Sequence, residues 1–258
     1  METSPPLARR EIIASRIDSG SAVVANELAI EFDVSEDAIR RDLRALAAAG
    51  RARRVYGGAL PISPANAPMR IRIDENADRK QALAAAAITS IRPGEVLFLD
   101  SGSTNLALAR LLPAGLEIRV ATNSVAIAGV VLQRADIALT VIGGAVDPDV
   151  GGCVDSSAIH AVRQYNFDRT FLGACAISHD EGIGAFHGDD AGFKRALIEV
   201  SRHVVVMATS EKLDTRAHHR VADLGRIDRI VLEHDAPSTA PRLLAAIGSK
   251  AVLAAPVT

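Results

Sequence analysis

Seven short apolar runs recur between residues 96 and 254, and segments of helical character separate them. The runs are Val96–Leu99, Ile118–Ala121, Leu139–Ile142, Thr170–Gly173, Val204–Ala208, Ile230–Leu232 and Ala251–Ala254. Strands that alternate with helices pair in parallel, and a parallel sheet covered by helices on both faces has strands that read as continuous apolar stretches. This pattern predicts an α/β domain over residues 76–258, which begins with an alanine-rich helix at 76–91.

Polar residues follow several of these runs, at the edge of the sheet where α/β domains bind their ligands. Lys194, on a predicted helix at 191–201, is added to them because it lies beside a strand-end segment and lysine is rare in this chain. The candidate ligand-binding residues are Asp100, Ser101, Gly102, Ser103, Thr104, Thr122, Asn123, Gly143, Gly144, Lys194 and Lys212. We expect those at the strand ends to lie at one edge of the sheet.

The segment 100–104 carries the clearest signal, because it turns from a strand directly into a helix at 105–112. Its glycine, its hydroxyls and the start of the helix can all bind an anion, which suits a phosphate monoester. An ordinary helix cap is the alternative, since serine and threonine are preferred at helix starts. Lysine favours the ligand: the chain has four lysines against 25 arginines, and two lie on or beside strand-end segments. Lys194 fits solvated surface equally well.

Three helices are predicted in the first sixty residues, at about 7–18, 25–32 and 36–49. In the first, isoleucines face inward and the arginines, Arg9 among them, are expected to be exposed. The third is capped by Ser35 and has acidic residues in its first turn, which stabilises a helix start. Two helices joined by a short turn form the helix-turn-helix geometry that enters a DNA major groove.

The third helix carries the residues expected to contact DNA. Ile39, Leu43 and Leu46 follow helical spacing and form one apolar stripe, so the arginines of this helix lie on the other side. Six arginines and a single acid, Asp42, fall between residues 40 and 54, although the whole chain has a net charge of −2. A solvated helix face is the alternative for such a charge run. Asp42 lies beside the core, where we expect it to pair with a nearby arginine.

A small β-wing is predicted after residue 50, with arginines that reach the DNA backbone. Arginine suits both contact with guanine edges and neutralisation of phosphates. The candidate DNA-binding residues are Ser35, Asp37, Arg40, Arg41, Arg44, Arg51, Arg53 and Arg54.

The stretch Val34–Leu43, with its Ile-Arg-Arg-Asp-Leu core, resembles the winged helix-turn-helix of the DeoR family of bacterial transcription regulators, as do Arg54 and Gly57-Gly58-Ala59. A series of later residues resembles the DeoR sensor domain: Asp100 to Thr104, Thr122-Asn123, Gly143-Gly144, Asp168, Phe171-Leu172-Gly173, Gly182, Ala191, Lys194 and Lys212. Together with the first sixty residues, the resemblance extends from about Leu7 to Glu233. The resemblance implies a Rossmann-like sensor domain related in fold to ribose-5-phosphate isomerase, with phosphate held at the 100–104 loop.

Three residues depart from the family pattern. Ala38 stands where the family has threonine, which removes a hydroxyl that can contact a phosphate. Thr209 and Glu211 stand where the family carries aspartate and serine, and these changes bear on the identity of the sugar. The predicted organisation is a DNA-binding domain at 1–60, a proline-punctuated linker at 61–75 and a sensor domain at 76–258.

The predicted function is a transcription regulator, a repressor of carbohydrate or polyol genes, whose affinity for double-stranded operator DNA is controlled by a phosphorylated sugar. The alternative is a phosphosugar isomerase with an accessory DNA-binding module. The region that matches the isomerases' acidic run keeps only Asp168, so no catalytic residue is predicted. No cofactor and no metal site is expected from the scattered histidines and the two cysteines. We expect a cytoplasmic homo-oligomer, a dimer or tetramer, without a membrane span.

Overall fold

The computed structural model describes residues 6–18, 23–49, 51–55, 57–61 and 67–257. The chain divides into two compact units, Met1–Pro64 and Ala65–Thr258. The predicted linker at 61–75 does not extend through Met69–Arg72, because these residues form a helix of the second unit. The Met69 N–H donates to the Asp149 carbonyl at 3.0 Å, which ties that helix to a distant loop.

The first unit contains three helices and a three-stranded antiparallel sheet. Its elements are α1 (Pro6–Asp18), β1 (Val23–Val24), α2 (Ala25–Glu31), α3 (Glu36–Ala48), β2 (Ala52–Val55) and β3 (Gly58–Pro61). The strands lie in the order β1-β3-β2, and β2 and β3 form a hairpin. This arrangement is a helix-turn-helix followed by a wing, which confirms the fold predicted for the start of the chain.

Helix α3 has the amphipathic character that its sequence predicts. The Ser35 hydroxyl accepts a hydrogen bond from the Ala38 N–H at 3.3 Å and caps the first turn. Ile39, Leu43 and Leu46 are at most 2% exposed and belong to the core that α1 and α2 also form. Burial of this stripe holds the opposite face of α3 toward solvent.

The environment of Arg9 differs from the sequence-based expectation. Arg9 is 6% exposed, and its Nε donates to the Asp42 carboxylate at 2.7 Å, while Arg10 donates to the other oxygen of that carboxylate. A buried carboxylate needs donors, and two guanidiniums supply them. The pairing predicted for Asp42 is therefore confirmed. The exposure predicted for Arg9 is wrong, because helical spacing carries no information about a partner 33 residues away.

The second unit is an α/β domain. Its helices are α4 (Met69–Arg72), α5 (Ala77–Ile88), α6 (Ser103–Arg110), α7 (Val125–Val131), α8 (Ser156–Val162), α9 (Gly188–Glu199), α10 (Ala236–Thr239) and α11 (Pro241–Ile247). Its strands are β4 (Val96–Leu99), β5 (Arg119–Thr122), β6 (Ala138–Val141), β7 (Val146–Asp147), β8 (Gly152–Cys153), β9 (Phe167–Leu172), β10 (Ala176–Ser178), β11 (Gly182–Ala185), β12 (Ser201–Ala208), β13 (His219–Ala222), β14 (Arg229–Leu232) and β15 (Ala251–Leu253). None of the helices in the described part of the chain has the length and apolar composition needed to cross a lipid bilayer.

Seven parallel strands form the central sheet, in the order β15-β14-β12-β9-β4-β5-β6. All seven correspond to the apolar runs of the sequence. Alternate residues enter the cores on opposite faces: Leu97 and Leu99 lie in one and Phe98 in the other. Burial on both faces explains why these strands read as unbroken apolar runs.

Two small antiparallel elements were not predicted from the sequence. Strands β10, β11 and β13 form a second sheet, and β7 pairs with β8. These strands have two to four residues, which is too short for a periodic pattern to be recognised. Gly182 begins β11 with a φ of +73°, and a Cβ there would lie 2.2 Å from the Ala222 carbonyl oxygen, so only glycine fits.

Candidate functional site

A cleft lies at the carboxyl ends of β4, β9 and β12. The centre of a water-sized sphere can reach about 30 Å³ of it, and the empty space is about 550 Å³ when the open solvent at its mouth is included. The residues that line it come from the ends of these strands and the loops after them, from the first turn of α6, from the segment 67–72, from the turn between β7 and β8 and from the start of α9. They are Ala67, Arg72, Ser101, Gly102, Ser103, Thr104, Asn105, Asp149, Val150, Leu172, Gly173, Ala174, Cys175, Phe186, His187, Asp190, Lys194, Met207 and Lys212. The predicted strand-end loop and both predicted lysines are thus brought together.

The loop after β4 presents polar groups to the cleft. Helix α6 begins at Ser103, and the first turn of any helix has N–H groups without partners inside the helix. Ser101, Ser103 and Thr104 are buried, and the Ser101 hydroxyl has no hydrogen-bond partner within the described residues. These donors, together with the positive end of the helix dipole, can bind an anion.

A buried charge triad lies beneath this loop. The Asp100 carboxylate accepts from the Gly173 N–H at 2.8 Å and lies 3.1 Å from the Lys194 ammonium, which also contacts Asp190. Burial raises the pKa of Asp100 more than the neighbouring ammonium lowers it. Burial alone would lower the pKa of Lys194, but the two carboxylates raise it above its ordinary value. Lys194 is therefore a permanent cation that ties α9 to the segment after β4.

Two further cations face the cleft without an acidic partner of their own. Arg72 donates from Nε to the Ala67 carbonyl at 2.7 Å and from Nη2 to the Asp149 carbonyl at 3.0 Å, so it neutralises no carboxylate. Lys212 follows β12 and forms no ion pair among the described residues. Burial, with the positive charge of Arg72 as a smaller cause, lowers the pKa of Lys212 to about 8. Neither cation is ion-paired within the described residues, although Asp149 and Asp190 also line the cleft.

Five predicted residues do not line the cleft, and one of them is Asp100, which is buried beneath the loop after β4. The Thr122 hydroxyl donates to the Leu99 carbonyl at 2.6 Å, which links β5 to β4. Asn123 accepts from the Ser101 N–H at 2.9 Å and donates to the Cys153 carbonyl, so it supports the loop after β4 from behind. Gly143 and Gly144 follow β6, which is the last strand of the sheet and is separated from β4 by β5.

Sequence analysis missed several residues of the cleft, among them Arg72, Cys175, His187 and Asp190. Arg72 fell in the predicted linker, and hydrogen bonds to distant carbonyls bring it to the cleft. Asp190 stands beside Asp189 in a glycine-containing stretch, which from sequence favours a solvated loop acid, with recognition of sugar hydroxyls as the alternative. Its spacing of four residues from Lys194 on one helix could have identified the pair.

Thr209 and Glu211, the two residues after β12 that depart from the family pattern, have different surroundings. Thr209 is 1% exposed, and its hydroxyl has no partner in the described part of the chain. Glu211 does not line the cleft, because its carboxylate accepts from Arg79 at 2.9 Å. A search of the described residues found no group of three or more histidines, cysteines or acids able to hold a metal ion.

The candidate DNA-binding surface is the outer face of α3. Arg40, Arg41 and Arg44 are exposed there. Arg40 pairs with Glu36 at 2.8 Å, and Arg41 donates to the carbonyl of Asp37, whose side chain is exposed. An exposed ion pair within one helix is weak, so these guanidiniums are available to a ligand.

The wing arginines are only partly described. Arg51 lies just before β2 and pairs with Glu11 of α1 at 3.1 Å. Arg53 and Arg54 belong to the backbone of β2, but their side chains lie outside the described residues. The predicted contacts of these three residues with DNA stay predictions.

Comparison with curated proteins gives relatives that span almost the whole chain. A protein of Escherichia coli O157:H7 named for repression of the aga operon is 30% identical and covers 95% of this chain and 93% of its own. The glycerol-3-phosphate regulon repressor of Escherichia coli K12 is 29% identical, over 86% of this chain and 88% of its own. The HTH-type transcriptional regulator GlpR of Haloferax volcanii is also 29% identical, over 88% and 90%.

Among solved structures, ribose 5-phosphate isomerase A of Methanocaldococcus jannaschii aligns with a TM-score of 0.40 and 19% identity, over 54% of this chain and 55% of its own. The Pyrococcus horikoshii translation initiation factor eIF-2B aligns with a TM-score of 0.42 and 15% identity, over 87% of this chain and 84% of its own.

Two family models match the two units in turn. The DeoR-like helix-turn-helix domain matches residues 9–65, and the DeoR C-terminal sensor domain matches residues 75–234. The chain therefore belongs to the DeoR family of transcription regulators, with a DNA-binding helix-turn-helix domain followed by a sensor domain.

Proposed function

We propose that this regulator represses carbohydrate or polyol genes by binding operator DNA through α3, and that a phosphorylated sugar or polyol in the cleft controls its affinity for DNA. The observation that carries the proposal is the pair of cations without acidic partners, Arg72 and Lys212, in the same cleft as the start of α6. A phosphate dianion would satisfy both cations and the buried Ser101 hydroxyl. Two of the relatives named above are regulators of the glycerol-3-phosphate regulon or carry the name GlpR, which supports a phosphorylated ligand of this class.

The acidic side of the cleft suits the hydroxyl groups of such a ligand. Asp190 and His187 line it, and their side chains can accept or donate hydrogen bonds to a polyol. This division into a cationic and a hydroxyl-binding side favours a phosphate monoester over a free sugar.

The arrangement of the acids supports a sensor that does not convert its ligand. Isomerisation needs a carboxylate base that can reach the substrate carbon. Asp100 is fully buried and is held by Gly173 and Lys194. Asp168, the one acid kept from the isomerase pattern, does not line the cleft and accepts from the Val96 N–H at 2.9 Å.

The proposal is tested by replacing two groups of the phosphate site, Ser103→Ala with Lys212→Ala. We expect phosphosugars to shift operator binding of the wild type in gel-shift titrations, and the double variant to bind operator normally without responding. Lys250→Ala, a lysine outside the cleft, is the control and should respond like the wild type. Unphosphorylated sugars should have no effect.

Two outcomes would contradict the proposal. One is an unchanged response of the double variant across a phosphosugar panel that acts on the wild type. The other is sustained conversion of a phosphosugar by the purified protein, followed by NMR, which would make the chain an isomerase with a DNA-binding module.

The lowered pKa of Lys212 makes ligand affinity depend on pH. A phosphate monoester is a dianion above about pH 6–7, and Lys212 is protonated below about pH 8. Above that pH the ammonium loses its proton, so calorimetry should show affinity for the phosphosugar falling several-fold by about pH 9.5. Lys212→Arg keeps its charge throughout and should remove this decrease. The same decrease in the arginine variant would assign it to another group.

The proposed active form contains at least two copies of the chain. One helix-turn-helix reads only a few base pairs, and specific affinity normally requires two half-sites. The sensor domain is the proposed site of association.

A further inference from the structure

Exposed apolar residues are concentrated around one edge of the central sheet. Among the described residues of the second unit, the four most exposed large apolar side chains are Leu132, Val125, Val141 and Val146, at 71, 58, 52 and 51%. Val141 belongs to β6, Val125 and Leu132 to α7 and its end, and Val146 to the hairpin that follows β6. Such a concentration of exposed apolar surface is typical of an interaction site.

The edge itself lacks the usual protection against pairing. Strand β6 is the last of the seven and pairs with β5 on its inner side. Residues 137–146 contain no charged side chain and no proline. Monomeric sheets normally protect an edge with charges, prolines or a covering element. The opposite edge strand, β15, is followed closely by Pro256, which cannot donate to a ladder.

We infer that the β6 edge, meaning β6 together with the exposed residues Val125, Leu132, Val141 and Val146, is the surface through which two copies of this chain associate. Two copies related by a twofold axis perpendicular to the sheet would pair their β6 strands in antiparallel fashion and form one continuous sheet. The four apolar side chains would be buried around this ladder.

We assign a second copy of the chain as the partner because the charge pattern of this surface is compatible with an identical surface. In a twofold interface each charge near the axis faces its own copy, so like charges repel. The four residues of β6 and the five that follow carry no charge, which avoids this repulsion. The inference builds on the proposal that the regulator works as an oligomer, but it concerns the sensor domain alone and can be tested without DNA or ligand.

The test compares two lysine substitutions by sedimentation velocity of the full chain. Val141→Lys places a charge at the exposed end of β6, whereas Leu253→Lys places the same charge on β15, where the leucine is 46% exposed. The wild type and Leu253→Lys should associate equally. Val141→Lys should weaken association at least about tenfold, since each copy would bring an ammonium group into an apolar interface. Equal association of all three proteins would overturn the inference.

Hydrogen exchange of the wild type gives a second measurement that needs no variant. At concentrations where the chain is associated, amides of 137–146 should exchange slowly, because the outer N–H groups of β6 are then paired. Amides of 251–257 should exchange as they do in the dilute protein. An edge at 137–146 that exchanges equally fast in the associated and the dilute protein would overturn the inference. A protein that associates through another surface, with the operator response intact, would leave the proposed function standing and remove only this interface.

Discussion

Replacing Arg40, Arg41 and Arg44 together by alanine is expected to abolish specific operator binding. The three guanidiniums are exposed on α3, opposite a stripe that is buried in the core of the first unit. An arginine that contacts a guanine edge contributes about 1–3 kcal/mol of discrimination. Specific binding typically exceeds non-specific binding by about 4–10 kcal/mol, so the loss of two or three such contacts removes most of the preference.

The variant should fold normally, because alanine favours helix and Arg40 loses only an exposed pair with Glu36. A matched control replaces three exposed arginines of the second unit, Arg110, Arg119 and Arg202, and removes the same charge. Fluorescence anisotropy with operator and random duplexes should show the α3 variant binding both equally weakly. Operator affinity that matches the control would show that DNA is read by another surface.

Replacing Lys194 by methionine is expected to lower the free energy of unfolding of the sensor domain by about 3–5 kcal/mol, the loss typical of a buried charge cluster that has lost one partner. Lys194 is 2% exposed and contacts both Asp100 and Asp190. Without the ammonium, two carboxylates share a buried site. Urea denaturation measures the loss, and Arg195→Met, at an exposed position on the same helix, should change stability by less than about 1 kcal/mol.

The sign of the pH dependence distinguishes this cause from a loss of packing. Burial raises the pKa of Asp100 in the folded state, and removal of Lys194 raises it further. A carboxyl with a raised pKa opposes folding above its unfolded pKa, and this opposition disappears as the pH falls and the group is protonated. The difference between Lys194→Met and the wild type should therefore shrink toward acid pH. A difference that stays constant with pH would assign the loss to packing.

The sequence predicts the sheet well because parallel strands are buried on both faces, which gives each strand an apolar run that is independent of its neighbours. The loop at 100–104 is identified for a similar reason, since its hydroxyls, its glycine and its helix start are adjacent in the chain. The position of Gly143-Gly144 relative to the cleft was harder to predict. A residue at a strand end can be placed near or far from the cleft only once the strand order is known, and β6 is the last strand of the sheet.

Contacts between distant residues account for what sequence analysis missed. Arg9 is buried by a carboxylate from another helix, and Arg72 enters the cleft through the carbonyl of Asp149, 77 residues away. The short strands β10 and β11 pair around Gly182, and neither has a pattern that stands out from a loop. In each case a residue that is distant in the sequence determines the local structure, and the sequence of a single segment does not reveal that residue.

Residues in and beneath the cleft fall into two classes according to the phenotype expected when they are mutated. Asp100, Lys194 and Asp190 join α9 to the end of β4, so we expect a change at any of them to reduce the amount of folded regulator before it alters ligand recognition. Lys212 and Ser103 lie at the same cleft and take no part in the triad. If the proposed function is correct, alleles at these two positions should keep the protein abundant and the genes permanently silent, whereas alleles in the triad should release the genes through loss of the protein. Ligand preference could then evolve at the cationic side of the cleft without loss of folding stability.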